Sequence, residues 1–103
     1  MRYQVVYLEQ AELQLIDLLD YISIESRSLT TAESYVNAVK AYCDGFEAFP
    51  HRGDRRDDIF PGLRITNYRH RTIIAFYVDD TNMAVVIAGI YHGGQDYESA
   101  LRF

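Results

Sequence analysis

The residues of this chain best suited to chemistry lie in its second half. They are Arg64, the run Arg69-His70-Arg71, the tyrosines Tyr77 and Tyr91, and His92 followed by Gly93-Gly94-Gln95. Guanidinium, imidazole and phenol groups neutralise phosphates or carboxylates, move protons and stack on bases. His92 follows an apolar run and precedes two glycines, which places it at a strand end. As a general base it needs a nucleophile and a charge stabiliser within reach; the plainer alternative is a ring that caps the strand end. No second His or Cys stands close to it in sequence, so no metal site is indicated. Arg64, after Pro61-Gly62-Leu63, projects from the start of a strand, and Arg69 to Arg71 fall where a hairpin loop belongs. These cations either point into solvent or form a patch for an acidic partner or nucleic acid. Tyr77 and Tyr91 are equally explained as core. Cys43 sits on an apolar helical stripe, where a thiol behaves as a small hydrophobe.

The elements that must position these groups are legible. Tyr3 to Leu8 is β-branched and aromatic, a first strand. From Glu9 the period changes, with Ala11, Leu15, Leu18, Leu19 and Ile22 at helical spacing until Ser26-Arg27-Ser28 breaks it. A second helix should begin with a capping box of Thr30 and Glu33. It carries Ala32, Tyr35, Val36, Val39, Tyr42, Cys43 and Phe46 on one stripe and ends at Ala48 or Phe49, before Pro50. Residues 51–61 read as a polar surface loop. Leu63 to Asn67, Thr72 to Val78 and Ala84 to Tyr91 read as strands, the last two a buried antiparallel hairpin around Asp79-Asp80-Thr81-Asn82. The expected class is α+β: a small antiparallel-rich sheet, in the order strand, two-helix hairpin and three strands, packed against the hairpin. For the tail from Tyr97 to Phe103 a helical turn and an edge strand are both open.

At 103 residues, 49% hydrophobic and 14% aromatic, the chain should fold as one domain spanning its length. One cysteine excludes an internal disulfide and fits a reducing compartment. Met1-Arg2-Tyr3-Gln4 enters the first strand without an apolar leader, so a soluble, cytoplasmic protein is expected. The net charge of −5 argues against a protein that grips nucleic acid through many phosphates. The charge is uneven, however. Residues 9–47 are acidic, whereas Arg52, Arg55, Arg56, Arg64, Arg69 and Arg71 outnumber Asp54, Asp57 and Asp58, which suggests a basic strip on one sheet face.

The leading strand, the acidic first helix and Phe49-Pro50-His51-Arg52-Gly53 are followed by Gly62-Leu63-Arg64, Phe76-Tyr77-Val78 and Ile90-Tyr91-His92-Gly93. That ordered set, spanning nearly the whole chain, resembles the RelE/ParE toxins of bacterial toxin–antitoxin pairs. The resemblance implies a sheet packed on a helical hairpin. RelE-like members cut messenger RNA on the ribosome with basic and tyrosine side chains, whereas ParE-like members poison DNA gyrase. Many members carry arginine between the His and the Asp; here Gly94-Gln95 stands there. A neutral Gln cannot offset charge developing on a phosphate, and such a loss raises a barrier by about 2–4 kcal/mol.

The resemblance therefore implies a ParE-like toxin of a type II system that inhibits DNA gyrase and is neutralised by a ParD-like antitoxin. Arg64, Arg69, Arg71, His92 and Gln95 are its expected partner-binding residues, with no catalytic residues, cofactor or metal. The alternatives are a ribosome-dependent endonuclease using Arg64, Arg71, Tyr77 and His92, and a non-toxic module that only binds antitoxin.

Overall fold

A computed structural model describes residues 2–102; Met1 and Phe103, the ends of the expected domain and tail, lie outside the described residues. The elements are β1 (Gln4–Tyr7), α1 (Glu9–Ser26), α2 (Leu29–Asp44), a 3-10 turn (Gly45–Glu47), β2 (Asp54–Arg55), β3 (Arg64–Tyr68), β4 (Thr72–Asp79), β5 (Ala84–His92) and α3 (Tyr97–Leu101). The strands form one sheet in the order β1-β5-β4-β3-β2. β1 runs parallel to β5 after the helical crossover, and the other pairings are antiparallel. The fold is the expected α+β class, with α1 and α2 laid as a hairpin on one sheet face.

Four local expectations change. The helix α2 starts earlier, because Ser28 takes an extended backbone and its hydroxyl accepts the Thr31 amide at 3.1 Å. Thr30 therefore lies inside the first turn, and the capping box with Glu33 does not form. Arg27 closes α1 in the left-handed region, so the break between helices is shorter than the Ser-Arg-Ser run suggests. The α-helical part of α2 ends at Asp44, and a tighter turn carries the chain on to Glu47. The expected loop at 51–61 contains the short strand β2, and the tail resolves as the helical turn α3, with the Asp96 carboxylate accepting from the Ser99 amide at 3.1 Å.

Both faces of the central strands are covered. On the helical side Leu18, Ile22, Val39, Cys43 and Phe46 pack against Ile74, Phe76, Val85, Ile87 and Ile90. On the other side α3 and the loop before β3 bring Leu101, Leu63 and Tyr97 onto Ile65, Ala75 and Tyr91. Gly89 lies under the Tyr91 ring, where a Cβ would come within 2.6 Å of ring atoms, so only glycine fits. Arg56 fastens α3 in place through Asp58 at 2.9 Å, Glu98 at 3.2 Å and the Tyr97 hydroxyl at 2.8 Å. This ion pairing holds the Asp58 carboxyl below its usual range.

β5 is the structural hub. β1 pairs with it only from Ala84 to Ile87, so the rest of that edge faces α1. Opposite β4 the register slips between Ala75/Gly89 and Phe76/Ile87, which leaves Ala88 as an extra bulged residue. Glutamines then replace the missing strand. Gln10 donates to the Ala88 carbonyl at 2.8 Å, Gln14 accepts the Ile90 amide at 2.7 Å, and Gln95 accepts the His92 amide at 2.9 Å. The bulge also switches which side chains face the helices, from Val85 and Ile87 before it to Ile90 after it.

Replacing Gln14 by Ala should leave the Ile90 amide unsatisfied and cost about 1–3 kcal/mol in urea unfolding, with Gln14→Glu, which keeps an acceptor, losing less. A loss below about 0.5 kcal/mol for the alanine variant would contradict this account of the edge. Burial pushes the Cys43 thiol up to about 12. Native protein at pH 8 should therefore resist iodoacetamide, and the urea-unfolded chain should react promptly.

Candidate functional site

The β4–β5 register pairs Thr72 with His92, and this places the β3–β4 turn beside the end of β5. Between them and the last turns of α1 opens a cleft of about 210 Å³. Leu18, Tyr21 and Ile22 line it from α1, His70, Arg71 and Thr72 from the turn, and His92, Gly93 and Gly94 from the end of β5. Arg69 and His70, the two central residues of the turn, have φ of 53° and 60°, and the Arg71 amide closes it on the Tyr68 carbonyl at 3.2 Å. That geometry favours Asn-Gly; two larger side chains hold it here against local preference.

His92 stacks on Tyr21 with ring centroids 4.1 Å apart and planes 29° apart. Its Nδ1 is buried without a hydrogen-bond partner among the described residues. Burial lowers the imidazole pKa below its usual value, and the carboxylate of Asp17 only partly opposes this. The neutral ring is thus the favoured form at neutral pH. Gly93 has φ of 56°, and a Cβ there would come within 3.0 Å of the Tyr21 hydroxyl, so glycine lets the chain turn against the ring.

The structure brings some of the expected residues together and separates others. Arg71 and His92 share the cleft. Gln95 stands next to it, but its carbonyl is engaged by the His92 amide. Arg69 lies on the outer side of the same turn, its guanidinium over the Tyr68 ring at 5.2 Å. Arg64 is elsewhere. It pairs with Phe76 whereas Tyr68 pairs with Thr72, a separation of roughly 13 Å along the strand at about 3.3 Å per residue. There its guanidinium donates to the Arg52 carbonyl at 3.2 Å. Tyr77 follows Phe76 and points to the opposite face, edge-on to Phe60 with centroids 6.0 Å apart.

The basic strip expected from the sequence is likewise divided. Arg55 meets Asp57 at 3.0 Å, Arg56 is held by Asp58 and Glu98, and Arg52 lies over the Phe46 ring at 4.6 Å. Tyr21 is the cleft residue that sequence reasoning missed, because an aromatic next to Leu18 and Ile22 on a buried helical stripe reads as core.

A second concave surface lies on the outside of the helical hairpin. Tyr7, Leu15, Ile16, Leu19 and Val36 line a groove of about 500 Å³, bordered by Glu12, Asn37, Lys40 and Asp44. On the same helix Leu13 and Ile16 are 55% and 56% exposed. Apolar side chains left open beside a groove are a feature of docking surfaces. No described helix is long and apolar enough to cross a membrane, and no group of His, Cys, Asp or Glu suited to a metal ion occurs among the described residues.

The family described as the ParE toxin of the type II toxin–antitoxin system parDE matches residues 5–97. The chain belongs to the ParE toxin family. Two solved structures share the ParE-like fold. One, the chromosomal ParDE toxin–antitoxin system of P. aeruginosa, aligns with a TM-score of 0.73 at 15% identity over 87% of this chain and 95% of that one. The other, the RelBE2 toxin–antitoxin complex of Mycobacterium tuberculosis, aligns with a TM-score of 0.64 at 21% identity over 92% and 95%. No curated protein matches the sequence.

Because the folded His92 pKa lies below the unfolded value, its contribution to stability is lost as pH falls from the ordinary histidine range through the lowered pKa. A proton NMR titration should place the His92 midpoint below 6.5, and Asp17→Asn should lower it further. A midpoint at or above 6.5 would mean that the ring is not desolvated against Tyr21.

Proposed function

We propose that this ParE-family toxin acts by binding: it inhibits DNA gyrase and is held inactive by a ParD-like antitoxin. The observation that carries this reading is the dispersal of the side chains an endonuclease would need. Arg71 and His92 meet in one cleft, Arg64 lies at the other end of the strand, and Tyr77 lies on the opposite face of the sheet. Phosphodiester cleavage requires such groups around one phosphate. The net charge of −5 also disfavours docking on ribosomal RNA.

The antitoxin is proposed to lay an amphipathic segment along the groove of the helical hairpin, where Leu15, Ile16, Leu19 and Val36 accept apolar anchors. Both similar solved structures are toxin–antitoxin assemblies, which supports a partner of this kind. Arg69, Arg71 and His92, with Gln95 beside them, form the second contact region, and Arg64 contributes a separate one.

A second reading rests on one specific observation. Arg71, His70, His92 and the Tyr21 phenol do line one cleft, the minimum from which a nuclease site can be built. Two assays on the purified protein separate the readings: gyrase supercoiling with cleavage-complex formation, and messenger RNA integrity in a translating extract. Inhibited supercoiling with intact message is the expected outcome. Codon-specific cuts that disappear in Tyr21→Phe and His92→Ala would falsify the binding reading. Tight antitoxin binding with silence in both assays would leave a non-toxic module. Arg71→Ala should weaken antitoxin binding more at low than at high salt; an unchanged Kd at low salt removes Arg71 from the interface.

A further inference from the structure

We propose that the cleft between α1 and the β3–β4 turn is a socket for one glutamate side chain of the protein partner, its carboxylate on Arg71 and its methylenes beside the Tyr21 ring. The inference deepens the partner-binding reading and rests on it.

The charge at this spot is unmatched. Arg2, Arg55, Arg56 and Arg102 each meet a carboxylate; Arg71, like Arg27, Lys40, Arg52, Arg64 and Arg69, makes no ion pair among the described residues, and of these six it is the one that lines the cleft. Glu25 borders the neighbouring depression on the far side of Arg71 but forms no salt bridge with it. In a protein of net charge −5, a guanidinium left free beside acidic residues is poised for a carboxylate supplied from outside.

The remaining walls specify the stem. Leu18 and Ile22 close the cleft from below as buried core residues, and the half-buried Tyr21 ring is the apolar surface left open to it. Such a surface takes aliphatic carbons, and the Arg71 head lies at its rim. At the mouth, the amides of Gly93 and Gly94 donate to no acceptor among the described residues, and both glycines are at positive φ. The two glycines are the central residues of a turn closed by the Gln95 amide on the His92 carbonyl at 3.0 Å, which keeps the mouth free of side chains.

A nucleic-acid strand fits the same surroundings poorly. The Asp17 carboxylate acts on His92 from α1, and Glu25 stands beyond Arg71 on the same helix. A single carboxylate can meet Arg71 between them, but a chain of phosphates would have to pass both.

The test is an NMR titration of the full chain with three probes: acetyl-Leu-Glu-Leu-amide, its Leu-Gln-Leu counterpart and adenosine 3′-monophosphate. The amides of Gly93 and Gly94 and the His92 ring report occupancy. The glutamate probe should bind about fivefold more tightly than the glutamine probe. Arg71→Gln should abolish that difference, Arg71→Lys should retain part of it, and Arg55→Gln, elsewhere on the surface, should retain all of it. A well-dispersed spectrum of Arg71→Gln shows that the variant is folded. Equal affinity for the two peptides overturns the proposal, as does tighter binding of the nucleotide. If the cleft ignores the peptides while intact antitoxin still binds, the socket is refuted and the partner-binding reading stands.

Discussion

Everything in this molecule is organised by β5, a strand whose outer edge is completed by side chains. A parallel partner for its whole length would require a longer β1, but the chain leaves the sheet after Tyr7 to form the crossover helix. Buried amides and carbonyls left without partners cost more than most side-chain contacts return, so the edge has to be closed. Gln10 and Gln14 close it from α1, and Gln95 closes its last amide from the turn that follows. The helix that covers the sheet is thereby also hydrogen-bonded to it. This fixes the height at which Tyr21 meets the end of β5.

The bulge at Ala88 has a consequence for the site. Along a regular strand, residues two apart share a face, so Val85 and Ile87 pointing at the helices would put Tyr91 there as well. The extra residue reverses this. Ile90 and His92 turn toward α1, and Tyr91 turns to the other face, where it packs over Gly89 and near Tyr97. The imidazole stacked on Tyr21 is therefore a product of one irregular residue in the middle of the sheet.

Charge is distributed to a similar end. Most arginines of the second half are already occupied: Arg55 and Arg56 by aspartates two residues on, Arg52 by an aromatic ring. The ion pairs around Arg56 hold α3 against the second core, a mechanical task. Arg71 is left over, in a cleft it shares with apolar side chains, two glycines and the His92 ring. That free guanidinium and the open apolar groove on the helices are the two features of this ParE-family surface that the fold itself leaves unused.

Hydrophobic period and turn chemistry in the sequence determined the class: a strand, two helices, a polar stretch and a buried hairpin of strands, in an order that resembles the RelE/ParE toxins. These are local signals, each written within a dozen residues, and they survived because the core rewards them directly. The start of α2 is ambiguous in sequence because Ser28, Thr30 and Thr31 offer several hydroxyls within one turn, and only the extended backbone at Ser28 selects among them. The site was legible residue by residue but not as a set. Arg64 and Arg71 are near neighbours in sequence yet stand at opposite ends of β3 and the turn that follows it, and Tyr77 falls on the wrong face by strand alternation. Tyr21 joins His92 only through the packing of α1 on β5 and the bulge that rotates the strand. Pairing register and bulges are set by contacts between distant segments, so the tertiary structure alone decided which of the reactive side chains share a cleft.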